Sequence, residues 1–192
     1  MKIPQKYLPT EDEVKKYLTI WNNKGESRDN DNALYKLFQE ICPENKDIRD
    51  VLIKCSALNE FYSTNVYYIH EVALHILKQQ NIDERLKKGD PTLVDQIADV
   101  KSVNRKYYSF ATKYCSFHYP YLYPIYDNFV ENVLWEFKKR DGFSDFKRGE
   151  LRNYERYKEI IDDFRNHYGL SDFTYKELDM YLWQLGKQFY AQ

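Results

Sequence analysis

Apolar side chains recur along this chain at steps of three and four, the spacing of one helical face, and almost nowhere in strict alternation. Thr10 with Glu13 reads as a capping box, and Val14, Tyr17, Leu18 and Trp21 keep helical register behind it, so a helix is predicted from about residue 10 to 22. The polar stretch Asn22 to Asn32, with Gly25 and Ser27, reads as a loop, after which Ala33, Leu34, Leu37, Phe38 and Ile41 resume a helix. Beyond Pro43, one helix is marked by Ile48, Val51, Leu52, Cys55 and Leu58 and another by Val66, Ile69, Val72, Ala73, Ile76 and Leu77. Ile82 to Leu86 makes a short turn, and Gly89-Asp90-Pro91 is a stop followed by a start, with Asp90 as N-cap and Pro91 first in the helix of Leu93, Val94 and Ile97.

The second half repeats the pattern. Residues 104 to 118 predict a helix that runs into the Pro-punctuated loop 118 to 126, and Asp127 stands as N-cap of the helix carrying Val130, Val133 and Leu134. Gly142 ends that helix, Leu151 to Tyr168 form a long one closed by Gly169, and Thr174 with Glu177 caps a last one with Leu178, Tyr181, Leu182 and Leu185. Only pieces such as Tyr119 to Tyr126 are ambiguous between helix and strand, so no sheet is required. The expectation is an all-α, single compact domain of eight to ten helices over residues 1–192, without repeats.

Composition narrows the class. A chain of 192 residues can bury a core without disulfides or metal. The 29 basic and 30 acidic side chains nearly cancel, so no global field draws it to nucleic acid, and any such interaction must come from local sites. Cys42, Cys55 and Cys115 are odd in number and widely spaced, which favours reduced thiols and a cytoplasmic setting over a disulfide framework. The first residues lack a signal-peptide core and no apolar run suffices to span a membrane, so a soluble protein is expected. The 19 Tyr, 11 Phe and 3 Trp supply large side chains for cores or, read differently, stacking platforms for bases or an exposed protein-binding face. His70 and His75, five apart, share no helical face, and no metal or cofactor is expected.

Candidate chemistry gathers between residues 105 and 127. On a helical wheel, Tyr107, Phe110, Ala111, Tyr114 and Phe117 form the apolar face, and Lys113 lies at its edge, about 60° from Phe110, with Ser109 and Ser116 as neighbours. Lys113 reads as a boundary lysine with its head in water, as an amine nucleophile, or as a phosphate contact. Asp127 reads as a plain cap that chemistry can also use. His118 closes the Lys113 helix as a terminal charge or a loop hydrogen-bonder. Lys138-Lys139-Arg140, with Lys147, Arg148 and Arg152, is the densest basic cluster, suited to solubility or to a phosphate backbone.

The order of these pieces resembles the helix-hairpin-helix DNA glycosylase superfamily, in which a helix carrying a catalytic Lys is followed by a Pro-containing loop and an essential Asp opening the next helix. Leu58 to Asn65 and Gly89 to Val94 are similar to the family's earlier elements, which would place a glycosylase-like core over about residues 45–140 with terminal helices packed around it. Leu178 to Lys187 resembles a terminal signature of bacterial proteins with that core. The segment Ser102 to Tyr107 holds no glycine where the family has a Gly-x-Gly hairpin, and the four-cysteine iron–sulfur motif is absent. The resemblance implies cleavage of an N-glycosidic bond of a nucleobase by Lys113 and Asp127, and a DNA- or nucleobase-binding surface of Ser63, Thr64, Asn65, Arg105, Lys106, Ser109, Ser116, His118 and Tyr126. The alternative is a non-catalytic helical module that binds nucleic acid or protein in phage defence or mobile-element biology.

Overall fold

The computed structural model describes residues 3–23 and 25–191. It is all-α: ten α-helices, one π-helical and two 3-10 turns, and one two-residue strand pair among the described residues. The helices gather into two compact units, one built from residues 3–23 together with residues 124–191, the other from Gly25–Tyr123.

The Gly25–Tyr123 unit holds α2 (Gly25–Tyr35), a π-helical turn (Lys36–Ile41), α3 (Ile48–Tyr62), α4 (Ile69–Leu77), α5 (Ile82–Lys88), α6 (Pro91–Ala98) and α7 (Tyr108–His118). The stretch expected to be a loop from Asn22 to Asn32 is thus mostly helix, apart from residue 24, which lies outside the described residues. Tertiary docking overrides its poor propensity: Asp31 and Leu34, three residues apart, are buried, and the Tyr62 hydroxyl of α3 donates a hydrogen bond to Asp31. Gly89 ends α5 with φ +70, and the Asp90 carboxylate accepts the Thr92 N–H at 2.9 Å to open α6 at Pro91, as the sequence predicts.

Two helix starts move in this unit. The segment before α7 is a small hairpin, β1 (Asp99–Val100) pairing antiparallel with β2 (Arg105–Lys106), in the register Asp99 opposite Lys106 and Val100 opposite Arg105. Asn104 turns it with φ +50, taking over in the left-handed region the part a glycine would play. The helix predicted from Val66 begins at Ile69, because Ser63 caps α3 in the left-handed conformation (φ +46), Asn65 repeats it (φ +56), and the chain must run extended before turning again.

The other unit holds α1 (Glu11–Asn22), α8 (Asn128–Asp141), α9 (Tyr154–His167) and α10 (Tyr175–Tyr190). The caps at Thr10, Asp127 and Thr174 all form, the last as a reciprocal box with Glu177, and Gly142 ends α8 at φ +65. Helix α10 carries the packing. Gly186 lies so close to α8 that a Cβ there would sit 2.7 Å from the Phe129 side chain and carbonyl. On another side α1 joins it through Tyr17 against Tyr181 and Trp21 against Trp183, both edge to face, with ring centres 5.4 and 5.7 Å apart. Nine of the 19 tyrosines are buried as amphipathic core, and two of them, Tyr154 and Tyr157, donate to the Pro124 and Ile125 carbonyls at 2.9 and 2.6 Å, fixing the run into α8.

Candidate functional site

Helix α7 is buried on every side from Phe110 to His118, so the polar residues expected along its edge are inside. Lys113 is 3% exposed and corrects the picture of a head in water. Its Nζ donates to Ser109 Oγ at 2.7 Å, one turn back, and stands 5.6 Å from the Tyr62 ring centre, the ring whose hydroxyl holds Asp31. Thr112 Oγ donates to the Ser109 carbonyl at 2.9 Å, which ties down the same turn. Ser116, also predicted beside Lys113, is buried.

The far end of α7 enters a second polar cluster that sequence reading missed. Lys54 of α3, wholly buried, spends its three ammonium protons on the Glu44 carbonyl (3.0 Å), Asn45 Oδ1 (2.7 Å) and His118 Nε2 (3.3 Å). Asn45 Oδ1 also accepts the Tyr114 hydroxyl at 2.5 Å, and Asn45 Nδ2 donates to Asp83 at 2.6 Å, linking the lysine to a carboxylate through one amide. Burial pushes Lys54 down to about 8, with Asp83 opposing, and pushes His118 well below its ordinary value, with the Lys54 charge adding to it. His118 is therefore neutral at pH 7, its Nε2 free of a proton to receive Lys54. The expected helix-terminal charge is overturned by desolvation. The sequence signal was present in the spacing: Lys54 is three residues after Val51 and four before Leu58, inside the apolar stripe of α3.

The remaining predicted residues occupy separate places. Ser63, Thr64 and Asn65 form the turn after α3, with Ser63 and Asn65 exposed and Thr64 half-buried, clamped by Asn59, whose Oδ1 accepts the Thr64 hydroxyl at 2.8 Å and the Val66 N–H at 2.9 Å. Arg105 and Lys106 are exposed on β2, Lys106 lying 3.6 Å from Asp95. Asp127 belongs to the other unit, where it caps α8 by accepting the Phe129 N–H at 2.9 Å. Tyr126, next to it, is no surface contact: it is 3% exposed and its hydroxyl donates to Glu131, with burial and that partner pushing it up to about 12. The Glu131 carboxyl is buried, which would raise it, yet the Tyr126 and Arg148 hydrogen bonds hold it below the ordinary carboxylate value.

Glu131 also bears on the basic cluster. Arg148 reaches it at 2.7 Å and Arg152 at 3.7 Å, Lys139 pairs with Glu136 at 2.8 Å, and Arg140 with Asp141 at 2.5 Å. Much of the positive charge counted in the sequence is thus matched within its own unit. The three cysteines are free and buried, and among the described residues no His, Cys, Asp and Glu group is placed to hold a metal, nor is any helix long and apolar enough to cross a membrane. The Gly25–Tyr123 unit has an open cleft of about 580 Å³ between α4, α6 and the turn after β1, bordered by Glu71, His75, Lys78, Asp95, Asp99 and Lys101. None of the predicted site residues lines it.

Comparison with known proteins bears above all on the Gly25–Tyr123 unit. A family model described as the HI_0787 N-terminal domain matches residues 13–122, which take in both α7 clusters and stop short of Asp127. An uncharacterised protein of Haemophilus influenzae is 48% identical over 147 residues, 76% of this chain and 70% of its own length. No solved structure matches.

Proposed function

We propose that this chain, which belongs to the HI_0787 N-terminal domain family, is a DNA-glycosylase-like enzyme in which the Lys113 amine attacks the sugar carbon that bears a nucleobase. What supports the reading is the seclusion of that amine: Lys113 is 3% exposed, on a helix rigid by burial, with Ser109 Oγ 2.7 Å from its nitrogen. An amine nucleophile needs a site where it is shielded, oriented and able to exist without its proton, and a hydroxyl one turn away both orients it and can take part in proton movement.

In the proposed step the Lys113 nitrogen forms a bond to C1′ as the N-glycosidic bond breaks. The base departs with the bonding electron pair and acquires a proton, the sugar ring opens, and loss of a proton from nitrogen leaves a Schiff base. The resemblance gives Asp127 the part of the carboxylate that steadies the cationic sugar.

Borohydride trapping tests it. With oligonucleotides carrying an abasic site or a panel of damaged bases, the wild-type chain should form a covalent adduct on reduction and Lys113→Ala should not. An absent adduct, or equal trapping by Lys113→Ala, removes the enzymatic reading and leaves the binding module.

A further inference from the structure

The open cleft of about 580 Å³ in the Gly25–Tyr123 unit has the size of a small-molecule site, for which about 300–1,000 Å³ is usual. One wall is α4, where Glu71, in the first turn, and Lys78, at the C-cap, both border the cavity. Seven residues apart, they share a helical face and stand about 10 Å from each other along the axis. The chain at the end of β1 brings a second pair of opposite charges, Asp99 and Lys101, to the same cavity. Among the described residues, none of these four side chains has an oppositely charged group within 4.0 Å or a side-chain hydrogen bond. A further carboxylate, Asp95 of α6, has Lys106 at 3.6 Å, and Lys106 does not line the cavity. Two acids and two bases thus surround one opening without neutralising one another.

The walls are tied together, since His75 Nε2 donates to the Gln96 carbonyl at 2.7 Å and so joins α4 to α6. Two side-chain amides line the cavity as well, and their partners fix which end of each is turned inward to the protein. Gln79 Nε2 donates to the His75 carbonyl at 3.1 Å, which leaves its oxygen to accept. Gln96 Oε1 accepts from Arg85 at 2.8 Å, which leaves its nitrogen to donate. One acceptor and one donor in the same cavity complement the N–H and the carbonyl of a peptide group.

We infer that this cleft binds a short peptide of about three residues with free termini, its ammonium taken by Glu71, its carboxylate by Lys78, and its backbone amides by Gln79 and Gln96. An extended chain covers about 3.3–3.6 Å per residue, so three residues match the separation of the two α4 charges. Asp99 and Lys101 repeat the two signs, and a ligand of a single sign, a polyamine or a phosphate, would meet as much repulsion as attraction on this rim. The inference uses no residue of the Lys113 reading. A chain that fails borohydride trapping and still binds the peptide keeps it.

The test is titration of the isotope-labelled full chain with tri-alanine, read by amide chemical shifts. Termini and backbone carry the proposal, so a probe with methyl side chains suffices. Saturable shifts are expected in residues 71–79 and 95–102. N-acetylated and C-amidated tri-alanine, each lacking one terminal charge, should bind about tenfold more weakly. Glu71→Gln should weaken tri-alanine by about tenfold and leave the acetylated peptide as it was, and Lys78→Gln should do the same with respect to the amidated peptide. Neither side chain is in the core, so an otherwise unchanged spectrum of each free variant separates binding from folding. No saturable shift at millimolar tri-alanine, shifts confined to other residues, equal affinity for the blocked peptides, or tighter binding of spermidine or inorganic phosphate overturns the assignment.

Discussion

Lys54 offers the sharpest check on the packing described for the Gly25–Tyr123 unit. Burial lowers it from 10.5 to about 8, while the unfolded chain, with its lysine in water, keeps the ordinary value. Between these values the unfolded state holds more protons than the native one, so stability attributable to this residue rises with pH in that window and levels off above 10.5. Each unit of difference is worth about 1.4 kcal/mol, so the full span comes to about 3.5 kcal/mol, of which about 2 kcal/mol falls between pH 7 and pH 9.5. Lys54→Met keeps the length and volume of the side chain and removes the proton. Urea unfolding of wild type and variant at half-unit steps over that range gives the stability difference between them, in which the tyrosines and cysteines common to both chains cancel. Wild type should gain on the variant by about 2 kcal/mol as pH rises, whatever the offset at pH 7 caused by the orphaned Glu44 carbonyl and His118 nitrogen. A difference that is flat, or that falls with pH, would show Lys54 in water and refute the closed Lys54–Asn45–His118 cluster.

Other expectations are simpler to state. Gly186→Ala should destabilise by about 1–3 kcal/mol or more in chemical unfolding, because the added methyl meets the Phe129 backbone rather than a movable side-chain tip, whereas Gly149→Ala, with open space around it, should change stability little. Asp127→Ala should lose about 1 kcal/mol as the α8 cap goes; Asp127→Asn keeps the cap, so if the carboxylate has the part the resemblance gives it, this variant should unfold like wild type and yet fail to release base. Thiol titration of the native chain should be slow at Cys55 and Cys115, whose burial raises them, Cys55 to about 12, and should become fast for all three cysteines in denaturant.

The sequence announced its helices wherever caps and apolar stripes coincide. Thr174 with Glu177, Asp90 before Pro91, and Gly142 after Arg140 each mark a boundary by chemistry that acts within a turn or two, and each holds in the structure. Helix α2 was illegible for the opposite reason. Most of its residues individually favour loops, and the helix is held by the burial of Leu34 and Asp31, the latter meeting Tyr62 31 residues along the chain. The wheel placed Lys113 correctly relative to Phe110 and misjudged its surroundings, since a wheel describes one helix and α7 is covered on all faces. Ser109 beside Lys113 followed from a four-residue spacing. Asn45, Lys54, Asp83 and His118 come from a loop and three helices up to 73 residues apart, and no local pattern could have joined them.

The first described helix finds its companions last. Gln184 donates to the Tyr17 carbonyl 167 residues away, and Tyr17 donates to Gln188 across 171. On a ribosome adding about 5–20 residues per second, α1 emerges on the order of ten seconds before α10 exists. The intervening Gly25–Tyr123 segment has every one of its own helices available by then and can consolidate during synthesis. The amphipathic α1 must wait for that partner with its apolar stripe uncovered, while its acidic opening, Glu11-Asp12-Glu13, suits a helix N-terminus with or without α10.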